Sequence, residues 1–163
     1  MHEQPSMIAR ISLTASVSAV IAVTMIGSPL RGAGGYSPED RMAMGSYVLT
    51  TSKMVRWISA ESALKAAQSA DPELRADEED LRRSNGDLAQ LLAAMRRHPR
   101  FTHFFRRAGL SDRDAVLFPV VIANAAVAAL TGTDLDGEAS FSTPPQIAFY
   151  RAHHDELDGV LRR

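Results

Sequence analysis

Cysteine is absent from the 163-residue chain. Disulfides, thiolate nucleophiles, cysteine-ligated zinc and iron–sulfur clusters are therefore excluded, and so is a lipoprotein anchor, which needs a cysteine after its signal sequence. An excess of one charge is also lacking, because 18 basic residues are balanced by 19 acidic ones. Without a strong positive field the sequence predicts no nucleic-acid partner.

Lysine is scarce, with two residues against 16 arginines and 25 alanines. Alanine and arginine favour helices, and β-branched residues are few after residue 60. The length suits one domain of ordinary size and hardly two. The composition therefore predicts a single all-α domain.

The amino-terminal segment contains an uncharged, mostly apolar run over residues 11–27. Arg10 precedes this run, and Pro29 and a small-residue stretch at 32–35 follow it. A cation, an apolar core, a helix breaker and small residues in this order are typical of a secretory signal peptide.

We therefore predict a signal peptide over residues 1–34, with cleavage near Gly34 or Gly35, and a secreted or periplasmic domain over 35–163. Translation could start at Met1 or at Met7, which would leave a cleaner basic segment. The alternative is an uncleaved single-pass anchor formed by 11–27. That run is short of the roughly 20 apolar residues that a spanning helix needs, and serines and threonines dilute it.

Capping signals and apolar periodicity predict the helices of the mature chain. Ser37 and Pro38 begin a helix that is expected to continue to Asp71, with an apolar stripe that includes Met44, Tyr47, Val48, Met54, Val55 and Ile58. Residues 73–86 are charge-rich and predict a solvated short helix or loop. Further helices are expected over 87–97, in a short segment around 101–108, and from Pro144 to the carboxyl end.

The segment after Ser111, the expected N-cap, is apolar on almost every side. Such a helix is either a membrane span or the centre of a bundle, and its length and alanine content favour the bundle. The predicted fold is a compact bundle of four to five helices around this central helix, about residues 112–131. Pro119 could kink it, and Asn124 is expected to bond to a neighbouring helix.

Common catalytic and ligand-binding motifs are missing from the sequence. There is no H-E-x-x-H, no G-x-S-x-G and no paired Glu-x-x-His quartet. The acidic loop 133–137 lacks the first and twelfth ligands of a calcium loop, and 32–35 lacks the lysine of a phosphate loop. No catalytic residue is predicted, and the chain is expected not to be an enzyme.

Histidines form the only candidate ligand set in the mature chain. They are His98, His103, His153 and His154, and Tyr150 lies one turn before the last pair. Imidazole can bind haem or a first-row metal, which suggests a carrier that uses His98, His153 or His154 with Tyr150. The simpler interpretation places His98 at a helix end, His103 in solvent, His154 in the core on the apolar stripe of the last helix, and His153 at its edge.

A candidate interaction surface combines aromatic and basic side chains in the short helix near residue 100. Its members are Phe101, Phe104, Phe105, Arg106 and Arg107. If the phenylalanines are exposed, they form the kind of apolar patch that marks a protein interface.

Two segments, AGLSDRDAVL at 108–117 and PPQIAFYRAHHDEL at 144–157, resemble a group of small exported bacterial proteins. That group has an A-G-L-S/T-x-R-E/D helix start, an alanine-rich helix and a closing helix. Here Asp114 replaces the usual glutamate, and the resemblance covers roughly residues 87–160. It implies export and a helical fold, and it implies no activity.

The sequence thus favours a non-enzymatic exported domain that binds an unknown protein or envelope component. The alternative is the haem or metal carrier. A third hypothesis, an enzyme that works through His154 beneath a kink at Pro119, is the least favoured.

Overall fold

The computed structural model describes residues 36–84, 87–131 and 142–161. Within these ranges the regular secondary structure is entirely helical, which confirms the all-α prediction. The described helices are α1 (Pro38–Gly45), α2 (Thr51–Gln68), α3 (Pro72–Arg83), α4 (Leu88–Arg97), α5 (Pro99–Arg107), α6 (Asp112–Thr131) and α7 (Pro144–Leu161). The predicted signal peptide and the loop at 133–137 lie outside the described residues.

Residues 46–50 divide the first predicted helix into α1 and α2, which is one reason the described helices outnumber the four to five expected. The Tyr47 ring is buried, and its hydroxyl donates a hydrogen bond of 2.9 Å to Oδ1 of Asp114. The Thr50 side chain caps α2 by accepting from the Lys53 N–H. These bonds favour the break over a continuous helix. The expected apolar stripe is buried at Met44, Tyr47 and Met54, whereas Val48 and Val55 are exposed.

Gln146, at the start of α7, binds the backbone of this break. Its Nε2 donates to the carbonyl oxygens of Met44, at 2.8 Å, and Tyr47, at 2.9 Å. Its Oε1 accepts from the Thr143 N–H at 2.9 Å, as the glutamine of a capping box does. Both amide atoms of this buried side chain are therefore satisfied, and so are two carbonyls that the break removes from helical hydrogen bonding.

Asp114 ties the same break to the start of α6. Its Oδ1 accepts from Tyr47 and forms an ion pair of 2.9 Å with Lys53, and its Oδ2 accepts from Ser111 at 2.6 Å. Burial alone would raise the pKa of Asp114, but the hydrogen bonds from Ser111, Lys53 and Tyr47 outweigh burial and lower it to about 2. Ser111 also accepts from the Asp114 N–H, as predicted for the α6 cap.

Helix α6 supplies much of the buried apolar surface and contacts α1, α2, α4, α5 and α7. Its buried residues are Ala115, Val116, Leu117, Phe118, Val120, Val121, Ile122, Ala125 and Ala128. Among the described residues one segment, Asp112–Leu130, is long and apolar enough to cross a bilayer, and half of it is covered by the rest of the protein. Asn124 donates to Sδ of Met44 at 3.7 Å, which is the expected bond to a neighbouring helix.

The turn after α5 uses Gly109 as its C′ residue, as predicted. Its φ of 79° lies in the left-handed region, which glycine adopts without steric cost. The Leu110 N–H donates to the Phe105 carbonyl at 3.0 Å and the Gly109 N–H donates to the Arg106 carbonyl at 2.9 Å, a Schellman arrangement. This turn reverses the chain between α5 and α6.

Replacing Gln146 by leucine should destabilise the protein by about 1–3 kcal/mol, because the Tyr47 carbonyl loses its donor and the Met44 carbonyl keeps only the Tyr47 N–H. The measurement is urea denaturation monitored by circular dichroism. Gln90→Ala, at an exposed position of α4, is the matched control and should change stability by less than about 0.5 kcal/mol. Equal effects of the two substitutions would show that Gln146 does not hold the break.

Candidate functional site

His98 lies at the α4–α5 junction and faces α3 rather than a cavity for a ligand. It is the C-cap residue of α4, in agreement with its predicted place at a helix end. Its Nδ1 is 2.9 Å from Oδ1 of Asp77, and its Nε2 is 2.8 Å from Oδ2 of Asp80. Both ring nitrogens are therefore engaged by carboxylates and are not available to a metal in this arrangement.

One of the two α7 histidines lies outside its predicted position. His154 is half exposed and contacts the Arg151 carbonyl, so its placement in the core is wrong. The buried residues of α7 are Gln146, Tyr150 and Leu157, and the partly buried His153 lies on the same face. The reason is that the stripe begins at Gln146, which is fixed by the helix break, and not at Ile147.

The carrier hypothesis gains no ligand cluster from these positions. Helix α7 packs mainly against α6 and α2, whereas His98 faces α3. His153 forms an ion pair of 2.9 Å with Glu156, and His103 is exposed on α5. Within the described ranges, no group of three or more histidine, aspartate or glutamate side chains could hold a metal ion.

The expected aromatic interaction surface is mostly part of the core. Phe101 is 1% exposed and Phe105 is fully buried, with ring centroids 5.7 Å apart, and Phe104 is partly buried. The prediction of an exposed patch is thus wrong at Phe101 and Phe105, because α2, α3, α4 and α6 all pack against α5. Arg106 and Arg107 are exposed, and Arg106 binds both carboxylate oxygens of Asp112.

Buried polar groups without partners indicate a better candidate, since native proteins rarely leave such groups unsatisfied. Five polar side chains are buried in the described part: Asp40, Glu61, Gln68, Thr102 and Gln146. Gln68, Thr102 and Gln146 make hydrogen bonds to other residues. Asp40 Oδ2 and Glu61 Oε1 are buried oxygens that have no partner among the described residues.

Asp40 lies on α1 and is 5% exposed. Its Oδ1 accepts from the backbone N–H of Leu88, the first residue of α4, at 3.2 Å. The positive end of the α4 dipole therefore stabilises this carboxylate, and the carboxylate caps α4. This structural role accounts for the position of Oδ1, whereas Oδ2 makes no hydrogen bond to the described residues.

An open groove of about 460 Å³ extends between α1 and α4 beside this carboxylate. We call it the α1–α4 groove, and its lining residues are Ser37, Glu39, Asp40, Met42, Ala43, Ser46, Asp87, Leu88, Ala89, Leu92 and Arg113. Three carboxylates face one guanidinium in this set, so the groove is net negative. Its volume lies within the range of small-ligand sites, roughly 300–1,000 Å³.

The arrangement suits the binding of a cation with an apolar stem. Oδ1 of Asp40 already accepts one hydrogen bond, so Oδ2 is the oxygen with its full capacity for a ligand donor. A primary ammonium can bind a single carboxylate oxygen with one of its three N–H groups, whereas the guanidinium fork is satisfied best by two parallel oxygens. Oδ2 is shielded from solvent, so a donor reaches it only when a lining side chain moves.

Glu61 is the second carboxyl group with an unpartnered oxygen, and it lies on the buried face of α2. Burial and, to a smaller extent, the negative charge of Glu78 raise its pKa to about 7, against the opposing effect of Lys65. Glu61 lines neither the α1–α4 groove nor the small cavity between α3 and the core. Because one of its oxygens is buried without a partner among the described residues, a bound proton lowers the cost of burying the carboxyl group.

Sequence reasoning missed both carboxyl groups for different reasons. Asp40 stands three residues after the cap Ser37, so it reads as an ordinary first-turn acid, and nothing local indicates that it reaches α4. Glu61 had a signal, because it falls on the apolar stripe four residues after Trp57 and three before Leu64. A charged residue at such a position is a buried carboxyl candidate.

Comparisons with known proteins add no assignment to this geometry. No family model matches the chain, and no curated protein or solved structure is significantly similar to it.

Ionisation of Glu61 should make the protein less stable as the pH rises. A carboxyl group whose pKa is higher in the folded state, here about 7 against 4.5, stabilises the fold fully below the lower value. This contribution, up to about 3 kcal/mol, should be lost as the pH rises from about 5 to above 7. Glu61→Gln should remove most of the change in denaturation free energy between pH 5 and 8.

Glu79→Gln is the control for that experiment, because Glu79 is exposed on α3 and pairs with Arg83. It should leave the pH dependence as in the wild type. A Glu61→Gln protein that still loses stability between pH 5 and 8 like the wild type would show that another group titrates.

Proposed function

We propose that the chain is an exported, non-enzymatic binding domain that recognises a lysine side chain of a partner protein in the α1–α4 groove. The helices form a bundle around α6, and the partner belongs to the cell envelope or its surroundings. The observation that carries this proposal is the buried carboxylate of Asp40, which has one oxygen bonded to Leu88 and the other without a partner beside an open groove.

Charge and shape together favour a lysine side chain as the occupant. The ammonium group complements the net negative lining and supplies a single donor to Asp40 Oδ2. The four methylene groups of lysine suit the apolar wall formed by Met42, Ala43, Ala89 and Leu92. The described residues that line the groove include serines but no histidine or lysine that could activate them, which favours binding over catalysis.

Nα-acetyl-lysine methylamide should bind to the protein in an NMR titration that follows the backbone amide of Leu88, which donates to Asp40. Asp40→Asn should weaken binding at least about tenfold, because a charged hydrogen bond is lost, while the asparagine oxygen still accepts from Leu88. Glu39→Gln removes the same charge from an exposed position of the groove and should weaken binding less than about threefold.

The corresponding norleucine and arginine methylamides test the two parts of the assignment. Norleucine keeps the apolar stem without the charge, and arginine replaces the single donor by a fork, so both should bind more weakly than lysine. The proposal is overturned if none of the probes binds, if norleucine binds as tightly as lysine, or if Glu39→Gln weakens binding as much as Asp40→Asn. Arginine binding more tightly than lysine would overturn the choice of a lysine side chain.

Export predicts that the mature chain begins near Gly35, because α1 starts at Pro38 and its cap at Ser37 must be kept. Intact-mass measurement of the protein secreted or released from the cell envelope should show the loss of residues 1–34. Recovery of the unprocessed chain in the membrane fraction would favour the anchor formed by residues 11–27. Recovery of the unprocessed chain in the cytosol would contradict export.

A further inference from the structure

Helix α3 is held in place by few apolar contacts. Eight of its 12 residues are charged, and its buried side chains are Leu74 and Leu81. Two buried leucines contribute only about 3–6 kcal/mol, which the cost of ordering a helix of this length offsets. The docking of α3 therefore depends on its polar contacts.

The central polar contact is the ring of His98, which joins two carboxylates of α3. Its nitrogens are 2.9 Å from Asp77 and 2.8 Å from Asp80, and its side chain is 15% exposed. An imidazole can donate from both nitrogens only in its doubly protonated form. After loss of one proton, a ring lone pair faces a carboxylate oxygen at hydrogen-bond distance, and this contact becomes repulsive.

The remaining polar contacts of α3 are formed by carboxylate, guanidinium and amide groups. Arg100 pairs with Asp71 and Glu73 at the start of the helix. Gln68 of α2 donates to Oε2 of Glu78 at 2.5 Å, and Arg82 pairs with Oε1 of the same residue. Arg100 and Gln68 contribute part of the attraction that docks α3, whereas the Arg82 pair lies within the helix, and His98 contributes a part that depends on protonation.

The surface beneath α3 contains a second group that responds to pH in the same direction. Glu61 of α2 is 4% exposed and interacts with Glu78 of α3 and Lys65 of its own helix. When Glu61 ionises, it places a buried negative charge near Glu78. The pKa of about 7 for Glu61 brings this change into the neutral range.

Packing beneath α3 is also incomplete. A space of about 20 Å³ lies between the helix and the core, with a lining of Glu78, Leu81, Arg82, Leu91, Met95, Phe101 and Val116. Gaps of this kind forfeit dispersion contacts and lower the cost of separating the surfaces. Separation would uncover side chains of α4 and α5, among them Leu91, Met95 and Phe101.

We propose that α3 is a pH-released flap, docked when His98 is doubly protonated and Glu61 is neutral, and detached as the pH rises and both groups lose a proton. Both transitions favour the docked helix at lower pH. The flap covers an apolar surface formed by α4, α5 and the adjoining face of α2. This inference does not depend on the lysine site, because α3 contributes no residue to the α1–α4 groove.

Amide hydrogen exchange of the intact protein at pH 5.5 and pH 8 tests the flap. After correction for intrinsic exchange rates, the protection of α3 amides should fall at least about tenfold more than that of α6 amides between the two pH values. Binding of an apolar fluorescent dye should increase over the same range. Equal loss of protection in α3 and α6 would indicate global destabilisation and would overturn the proposal.

Substitutions identify the groups responsible. His98→Gln should leave α3 weakly protected at both pH values, and Glu61→Gln should increase α3 protection at pH 8. His103→Gln, at an exposed position of α5, should leave both values unchanged. The flap is overturned if Glu61→Gln and His98→Gln keep the wild-type pH response. Because glutamine removes a buried charge at position 61, that variant should fold even if His98→Gln does not.

Discussion

The carboxamide of Gln146 is the contact on which the arrangement of the first helices depends. It supplies two donors to the carbonyls that the break after α1 leaves without helical partners. Tyr47, in the same break, bonds to Asp114 of α6, and Met44 accepts from Asn124. Three side chains of α6 and α7, through four hydrogen bonds, thus fix the end of α1. Since Asp40 lies on α1 and reaches α4, the geometry of the α1–α4 groove rests on the same set.

Local signals in the sequence were sufficient for much of the helical structure. Ser37, Ser111 and Pro144 each stand where a helix begins, and Gly109 stands where α5 ends. The break at residues 46–50 could not be predicted in this way, because apolar residues continue at helical spacing across it. The break results from hydrogen bonds to residues far along the chain, and the spacing of apolar residues does not reveal such bonds.

The candidate sites were harder to predict than the helices. The residues that contact each site residue come from other helices, and the packing of those helices cannot be inferred from local sequence. His98 was placed correctly at a helix end, but the acidic run at 77–80 looked solvated, so its pairing with Asp77 and Asp80 was not foreseen. The phenylalanines of α5 were predicted to form an exposed stripe. A short amphipathic helix has the same apolar spacing whether its apolar face is exposed or covered by neighbouring helices, so the spacing does not distinguish the two cases. Only Glu61 could have been recognised from its position on a buried stripe.

The bond from Gln146 to Met44 joins residues that are 102 positions apart, and this separation has a consequence for the order of folding during synthesis. Helices α2 to α6 can pack on one another while the chain is still growing, but the Tyr47 carbonyl has no side-chain donor until α7 has been made. Contacts so distant in sequence form late, because a long loop must close before they stabilise anything. A chain truncated before residue 146 therefore keeps the contacts of α1 with α4 and α6, but it lacks both hydrogen bonds from α7 to the break.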